Sequence, residues 1–269
     1  MICNNCSHRC SLDNGQTGRC HARSNRNGRI VCDNYGAVTS LALDPIEKKP
    51  LSMFHPGSKI LSVGSYGCNM SCPWCQNDSI SRGRVDADTL SCEELVDMAE
   101  RTRDRGNIGI AFTYNEPSVG FEFVRDTAIL AKKRGLMNVM VSNGMLERSR
   151  FDELLPYIDA YNIDLKTSDE RKYASIGGDL SLIMDNIRSA SKSSHIELTT
   201  LVVPRFNDDE EDMRHIVSLT ASVGDIPLHI TRFFPAGSMR DSSPTDLSDL
   251  YRFRDIASSE LKYVFLGNV

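Results

Sequence analysis

No apolar run in the chain approaches the roughly 20 residues that a membrane-crossing helix needs. The first residues, Met1-Ile2-Cys3-Asn4-Asn5-Cys6, carry no signal-peptide pattern, and a cytoplasmic location is expected. Positive charge is not in excess: 31 Lys and Arg against 36 Asp and Glu leave a formal charge of -5. That argues against broad nucleic-acid binding by charge, although a local basic groove stays open. There is no low-complexity segment. Cysteine is scarce over most of the chain: of nine, eight fall before residue 76 and only Cys92 lies beyond. A disulfide scaffold would be shorter and secreted, so close-spaced thiols here point to metal.

What is present is an ordinary globular composition over 269 residues, 40% hydrophobic and 25% charged. One large domain with an appendage, or two domains, fits that length. Within it, Cys68, Cys72 and Cys75 lie in Gly67-Cys68-Asn69-Met70-Ser71-Cys72-Pro73-Trp74-Cys75-Gln76-Asn77. One short loop thus offers three thiolates. A four-iron cluster usually takes four cysteines, so three leave one iron open to bind and activate a second molecule. A closed cluster mostly passes electrons or braces a fold.

Residues 1–55 differ from the rest, with Cys3, Cys6, Cys10, Cys20 and Cys32, many Asn, Gly and Arg, and no long amphipathic stretch. The runs Arg29–Cys32 and Ala37–Leu43 flank Asp33-Asn34-Tyr35-Gly36 and predict a β-hairpin. Asp44-Pro45-Ile46-Glu47-Lys48-Lys49-Pro50-Leu51 reads as a connector into a main domain, 56–269. From residue 59, short apolar runs alternate with amphipathic stretches. Strands are predicted at Lys59–Val63, Ile108–Thr113, Asn138–Ser142, Tyr161–Leu165, Glu197–Val203 and Leu228–Phe233, with Tyr263–Leu266 as a candidate last strand. Helices are predicted near 92–105, 118–134, 149–156, 179–193, 209–222 and 246–259, with Gly106 and Gly135 as stop signals. Repeated βα units imply parallel strands with right-handed crossovers, in a barrel or an open doubly wound sheet.

In parallel α/β folds the chemistry gathers at the carboxyl ends of strands. The polar oddities of this chain fall there: the cysteine loop, Tyr114-Asn115-Glu116-Pro117, Asn143-Gly144, Asp164-Leu165-Lys166, and the group His229, Thr231 and Arg232. These residues are expected to face one mouth.

Cys68-x3-Cys72-x2-Cys75, with Trp74 before the last cysteine, resembles the radical S-adenosylmethionine (SAM) enzymes. Thr113–Pro117, Ser142-Asn143-Gly144 and Asp164-Leu165-Lys166 resemble stretches of the pyruvate formate-lyase activating-enzyme branch. A narrower likeness, to the radical SAM member of the AmmeMemoRadiSam system, spans nearly the whole chain. It rests on the cysteine-rich start, Asp44–Leu51, Cys75-Gln76-Asn77, Phe112–Pro117 and Leu266-Gly267-Asn268-Val269.

The resemblance implies an α/β fold, a partial (β/α)6 TIM-type barrel, with a small Cys-rich N-terminal subdomain. It implies a [4Fe–4S] cluster on Cys68, Cys72 and Cys75, with SAM on the fourth iron. Reductive cleavage of SAM would give methionine and a 5′-deoxyadenosyl radical that takes a hydrogen from a substrate. Trp74, Asn115, Glu116, Ser142, Asn143, Asp164, Lys166 and His229 are the expected SAM contacts. Asn115 and Glu116 offer acceptors to an ammonium, and Lys166 complements a carboxylate. The implied partners are an electron donor such as flavodoxin or ferredoxin, and either AmmeMemoRadiSam proteins or a glycyl radical enzyme. A different class also stays open: an iron–sulfur electron carrier or metal-braced binding module, with four protein ligands and no SAM.

The chain departs from the activating-enzyme pattern at Val141, where an Asp often helps hold a cation. No two-cluster ferredoxin insertion follows the cysteine loop. Cys3, Cys6, Cys10 and Cys20, with His8 and His21 nearby, suit structural zinc or an auxiliary cluster. Cys32 and Cys92 read as ordinary thiols. Each motif also has a plainer reading. Asn115-Glu116-Pro117 alone is a helix-entry turn, Asn143-Gly144 a plain turn, and Asp164 and Lys166 a pair on one strand face. Glu47-Lys48-Lys49 reads as an exposed turn, Met137, Met140 and Met145 as core filling. Arg205, Arg232 and Arg240 suit either an acidic substrate group or solvent.

Overall fold

The computed structural model describes residues 1–269. The strands are β1 (Arg23–Arg26), β2 (Arg29–Cys32), β3 (Ala37–Val38), β4 (Ser40–Pro45), β5 (Lys59–Gly64), β6 (Asp88–Thr89), β7 (Asn107–Phe112), β8 (Met137–Ser142), β9 (Ala160–Asp164), β10 (His195–Val202), β11 (Leu228–Arg232) and β12 (Val264–Gly267). The helices are α1 (Asp78–Ser81), α2 (Cys92–Arg101), α3 (Phe121–Lys133), α4 (Arg148–Leu154), α5 (Glu170–Ser175), α6 (Leu180–Ala190), α7 (Glu210–Ala221) and α8 (Leu247–Ser258). All six expected core strands form within two residues of their predicted bounds, and Tyr263–Leu266 yields β12.

Helix starts follow the sequence closely. Ser91 caps α2 in a reciprocal box with Glu94. Four successive helices, α5 to α8, begin at aspartate caps: Asp169, Asp179, Asp209 and Asp246.

The main sheet runs β12-β11-β10-β9-β8-β7-β5-β4. Neighbours from β5 to β12 pair in parallel, and β4 pairs antiparallel with β5. The edge strands β12 and β4 do not pair, so the barrel stays open along one side. Parallel strands between helices bury both faces. The outer face, through Phe112, Met140, Ile163, Leu198 and Ile230, packs in the largest apolar cluster with helix residues such as Leu95, Phe151 and Ile216. The inner face carries Ala111, Val139 and Ala160 low in the barrel. There Ile46, Leu51 and Phe54 of the connector fill the space as a plug.

The predicted hairpin is wrong in its pairing. Arg29–Cys32 pairs with Arg23–Arg26 through Asn27-Gly28, whose φ values of +53° and +78° suit the two-residue turn of a twisted hairpin. Asn34 is drawn inward instead, its Nδ2 donating to Tyr66 O at 2.9 Å. Ala37–Val38 pairs with Asp88–Thr89, and Ser40–Pro45 joins β5 as the sheet edge. The cysteine-rich segment therefore contributes a strand to the main sheet.

Candidate functional site

The hydrogen-bond register lines up one inner row across four strands: Asp164, Thr199, His229 and Phe265. His229 is only the second residue of β11, yet the stagger of the barrel sheet carries it level with Asp164 at the end of β9. The next row up on the same face contains Leu201, Thr231 and Gly267. These rows wall a cavity of about 1010 Å³ that opens at the strand ends. Every expected residue lines it: Cys68, Cys72, Cys75, Trp74, Asn115, Glu116, Ser142, Asn143, Asp164, Lys166 and His229. Val141 lines it too, while Arg205, Arg232 and Arg240 do not.

The cysteine loop is fixed from several sides. Ser71 N donates to Ile176 O at 2.8 Å, Ser238 N to Pro73 O at 2.8 Å, and Arg82 Nη2 to Cys72 O at 2.6 Å. Gly67 adopts φ +92°, and a Cβ there would lie 2.5 Å from Cys20 O, so the loop rests against the N-terminal segment. Trp74 is buried, with its ring 4.4 Å from that of Phe206.

A belt of polar side chains ties the neighbouring strand ends to this loop. Asn115 Oδ1 accepts from Ser65 N at 2.9 Å while its Nδ2 donates to Gly67 O at 3.0 Å. Glu116 accepts from Ser118 N (3.0 Å), Ser142 Oγ (2.8 Å) and Asn143 N (2.7 Å). Burial pushes the Glu116 carboxyl up, against the pull of those donors. Asn143 Nδ2 donates to Asn69 Oδ1 at 2.8 Å and lies 3.9 Å from Cys68 Sγ. Asn115 and Glu116 thus brace the loop with most of their polar capacity. Lys166 Nζ donates to Asp164 Oδ2 at 2.7 Å. Burial alone would lower the Lys166 ammonium, but Asp164 and Cys72 raise it on balance, so it stays charged.

Burial pushes up the thiols of Cys68 and Cys72, and charged neighbours add to the effect at Cys68. Three thiols facing one cavity from one loop suit soft iron, whose positive charge reverses the burial penalty at Cys68 and Cys72. The donor set therefore fits a four-iron cluster. No other cysteine lines the cavity.

Cys3, Cys6 and Cys20 are buried and Cys10 half-buried, all as free thiols. They lie close enough to influence one another. Burial and the neighbouring Cys20 and Cys10 push the Cys6 thiol up to about 11, although hydrogen bonds from His8 and Asn69 oppose this. His8 Nε2 also bonds Asn69 O at 2.7 Å, so this group abuts the back of the cysteine loop. No three Cys, His, Asp or Glu side chains in the chain close to single-ion spacing. Cys92 is buried at the start of α2, and burial pushes Cys32 to about 12.

Sequence reasoning missed four cavity residues or their supports. Lys49 is 4% exposed and lines the cavity, so Glu47-Lys48-Lys49 is not simply an exposed turn, although Glu47 and Lys48 are exposed. Lys49 Nζ donates to Asp44 Oδ2 at 2.9 Å, as does Tyr114 Oη at 3.0 Å. Glu197 is fully buried; it accepts from Ser52 N, Met53 N, His195 and His229 and so pins the plug under the cavity. Thr199 Oγ1 donates to Asn162 Oδ1 at 3.0 Å, and Asn162 Nδ2 holds Pro50 O at 2.8 Å. The only sequence signal was the pair of charges Asp44 and Lys49, each next to a proline, and an acid inside a core strand at Glu197.

The model of the Radical SAM superfamily matches residues 62–217. In sequence the chain is similar to an uncharacterized protein of Methanocaldococcus jannaschii. The two are 37% identical over 274 residues, covering 99% of this chain and 81% of that protein. It is also similar to the 4-hydroxyphenylacetate decarboxylase activating enzyme of Clostridioides difficile, 24% identical over 194 residues, 68% of this chain and 60% of that enzyme. In fold it is similar to SuiB of Streptococcus suis bound to S-adenosylmethionine. The TM-score is 0.61 at 16% identity, over 76% of this chain and 48% of SuiB. The chain thus spans about half the length of that solved structure.

Proposed function

This chain belongs to the radical SAM superfamily, and from that premise we propose that it is an enzyme that cleaves SAM at the Cys68, Cys72 and Cys75 loop. The observation that carries the proposal is three free thiols from one loop in a cavity that contains no fourth cysteine. When bound there, a [4Fe–4S] cluster supplies the electron that splits SAM into methionine and a 5′-deoxyadenosyl radical, which removes hydrogen from the substrate.

The chain's own residues hold, orient and shield. Cys68, Cys72 and Cys75 ligate the cluster. Lys166, kept charged by Asp164, meets the methionyl carboxylate, and Asp164 meets ribose hydroxyls. Asn143, next to Cys68, supports the loop and reaches SAM, with Ser142 and Glu116 behind it. Trp74 closes the cavity beside the loop against water. His229, fixed by Glu197 and stacked on Phe265 at 5.2 Å, lines the cavity two strands along from Asp164 in the same row.

The whole-chain motif pattern favours a member of the AmmeMemoRadiSam system, acting with its partner proteins on a protein or small molecule. The electron comes from a flavodoxin or ferredoxin, in the cytoplasm. A second reading, a glycyl-radical activase, draws support from the likeness to the 4-hydroxyphenylacetate decarboxylase activating enzyme. Cys3, Cys6, Cys10 and Cys20, four thiols in one short loop-rich segment, would hold zinc or an auxiliary cluster by drawing together on binding, since no three of them stand at single-ion spacing in this structure.

Anaerobic reduction of the reconstituted protein with SAM tests the central point. 5′-Deoxyadenosine forms in the wild type and is lost in Cys72→Ala; a protein that transfers electrons without consuming SAM refutes the enzyme. A glycyl radical signal on a co-purified partner selects the activase. Elemental analysis of a chain lacking Cys68, Cys72 and Cys75 tells zinc from iron at the N-terminal thiols.

A further inference from the structure

The cavity wall at the end of β4 carries a charged group that is none of the SAM contacts proposed above. Asp44, Lys48, Lys49 and Tyr114 all line this wall. Asp44 accepts from Lys49 Nζ at 2.9 Å, from Tyr114 Oη at 3.0 Å and from Lys48 Nζ at 3.4 Å. Glu47, whose Oε1 accepts from Gly57 N at 2.7 Å, lines the wall too, so two carboxylates face two ammonium groups. Lys49 is the buried one of those ammonium groups, while Lys48 is exposed. An ammonium has three donors, and Lys49 Nζ has one acceptor within the chain. The ring of Tyr114 lies 4.8 Å from Lys49 Nζ and fixes its place. The segment after Lys49 is equally fixed, by Asn162 at Pro50 and by Glu197 at Ser52 and Met53. A cation held in a nearly dry wall, with donors to spare, suits an incoming anion. The cavity, at about 1010 Å³, lies at the upper end of the range for one small ligand, which leaves space beside SAM.

We propose that Lys49, set by Asp44 and Tyr114, binds an oxyanion, a carboxylate or phosphate group, on the molecule this enzyme modifies. The proposal rests on the radical SAM reading of the cavity and names the substrate's class.

Inorganic pyrophosphate is the probe, with malonate run beside it to tell phosphate from carboxylate preference. Binding to the anaerobically reconstituted full chain is measured by calorimetry under saturating SAM, which covers Lys166. The wild type binds one of the two saturably. Lys49→Gln weakens binding about tenfold or more, the loss of one charge-assisted bond, and Lys49→Arg stays within about threefold of wild type by keeping the charge. Asp44→Asn removes the competing carboxylate and tightens binding, which keeps the proposal testable if Lys49→Gln does not fold. Absence of saturable binding by either probe, equal affinity in Lys49→Gln, or no tightening in Asp44→Asn overturns it. So does loss of binding in Lys166→Met measured without SAM, which would move the anion to Lys166. Binding that depends on Lys49 in a chain that never yields 5′-deoxyadenosine sinks the enzyme reading and keeps the anion site. Deoxyadenosine formation without such binding does the reverse.

Discussion

Replacing Glu197 by Gln should remove much of what holds the cavity floor in place. The side chain is fully buried and accepts from Ser52 N (3.0 Å), Met53 N (2.8 Å), His195 Nε2 (2.8 Å) and His229 Nε2 (2.6 Å). Gln keeps the shape but turns one acceptor oxygen into a donor, which then faces two of those four groups. Charge-assisted bonds are worth about 1.5–3 kcal/mol each, and relief from burying a charge offsets part of the loss. A second route gives a similar figure. Burial would raise the Glu197 carboxyl, but His195, His229 and the backbone N–H groups hold it at about 2, against an ordinary 4.5. That gap corresponds to about 3 kcal/mol of stability at neutral pH. For a chain of this size about 3 kcal/mol lowers Tm by roughly 6–12 °C.

The pH dependence follows from the same depression. The stabilisation is fully present above the unfolded value, near 4.5, and is lost as pH falls toward the folded value, about 2. The gap between wild type and Glu197→Gln is therefore flat from neutral pH down to about 5 and narrows below about 4.5. Thermal unfolding of both proteins across that range is the assay. A gap under about 2 °C at neutral pH, or one that widens on acidification, refutes the reasoning.

Two further predictions address the supports of the cysteine loop. Arg23 is 2% exposed and forms a paired contact with Glu122 at 2.7 and 2.6 Å, tying the N-terminal segment to α3; Arg23→Met should cost about 2–4 kcal/mol in urea unfolding, and adding Glu122→Gln should restore part of it. Gly237 adopts φ +58°, and a Cβ there would lie 2.4 Å from Pro73 O and 3.0 Å from Cys75 N; Gly237→Ala should lower the iron retained per chain after anaerobic reconstitution. Gly224→Ala, where φ is +136° but nothing lies within 4 Å, should lower stability by about 1 kcal/mol and leave iron content unchanged.

Much of the fold was legible because its signals are local. Apolar runs set the strands, and Asp179, Asp209 and Asp246 each stand one residue before a helix that the sequence predicts, whereas the six-residue α5 after Asp169 is too short to show an apolar period and is absent from the predicted helices. The cysteine loop and the strand-end polar residues were legible for the same reason: parallel α/β topology sends strand ends to one mouth. The misses depended on distant partners. Ser40–Pro45 carries the apolar alternation of a hairpin strand, but its partner β5 lies beyond the connector rather than before it. Lys49 reads as solvent-exposed until Asp44 and Tyr114, the latter 65 positions on, enclose it. Glu197 looks misplaced in a core strand until two histidines and a plug from residues 52 and 53 converge on it. Asn115 and Glu116 line the cavity as expected, and the distant partners that brace the cysteine loop through them are what the sequence did not reveal.

The proposed SAM cleavage requires a cluster held by three thiols, with its fourth iron left for SAM. Electron–nuclear double resonance on the reduced, reconstituted protein, with SAM labelled at the amino nitrogen and carboxylate oxygen, tests it directly. Couplings from both labels to the cluster are the predicted result. A cluster spectrum that does not change when SAM is added, with four ligands drawn from the protein, contradicts it.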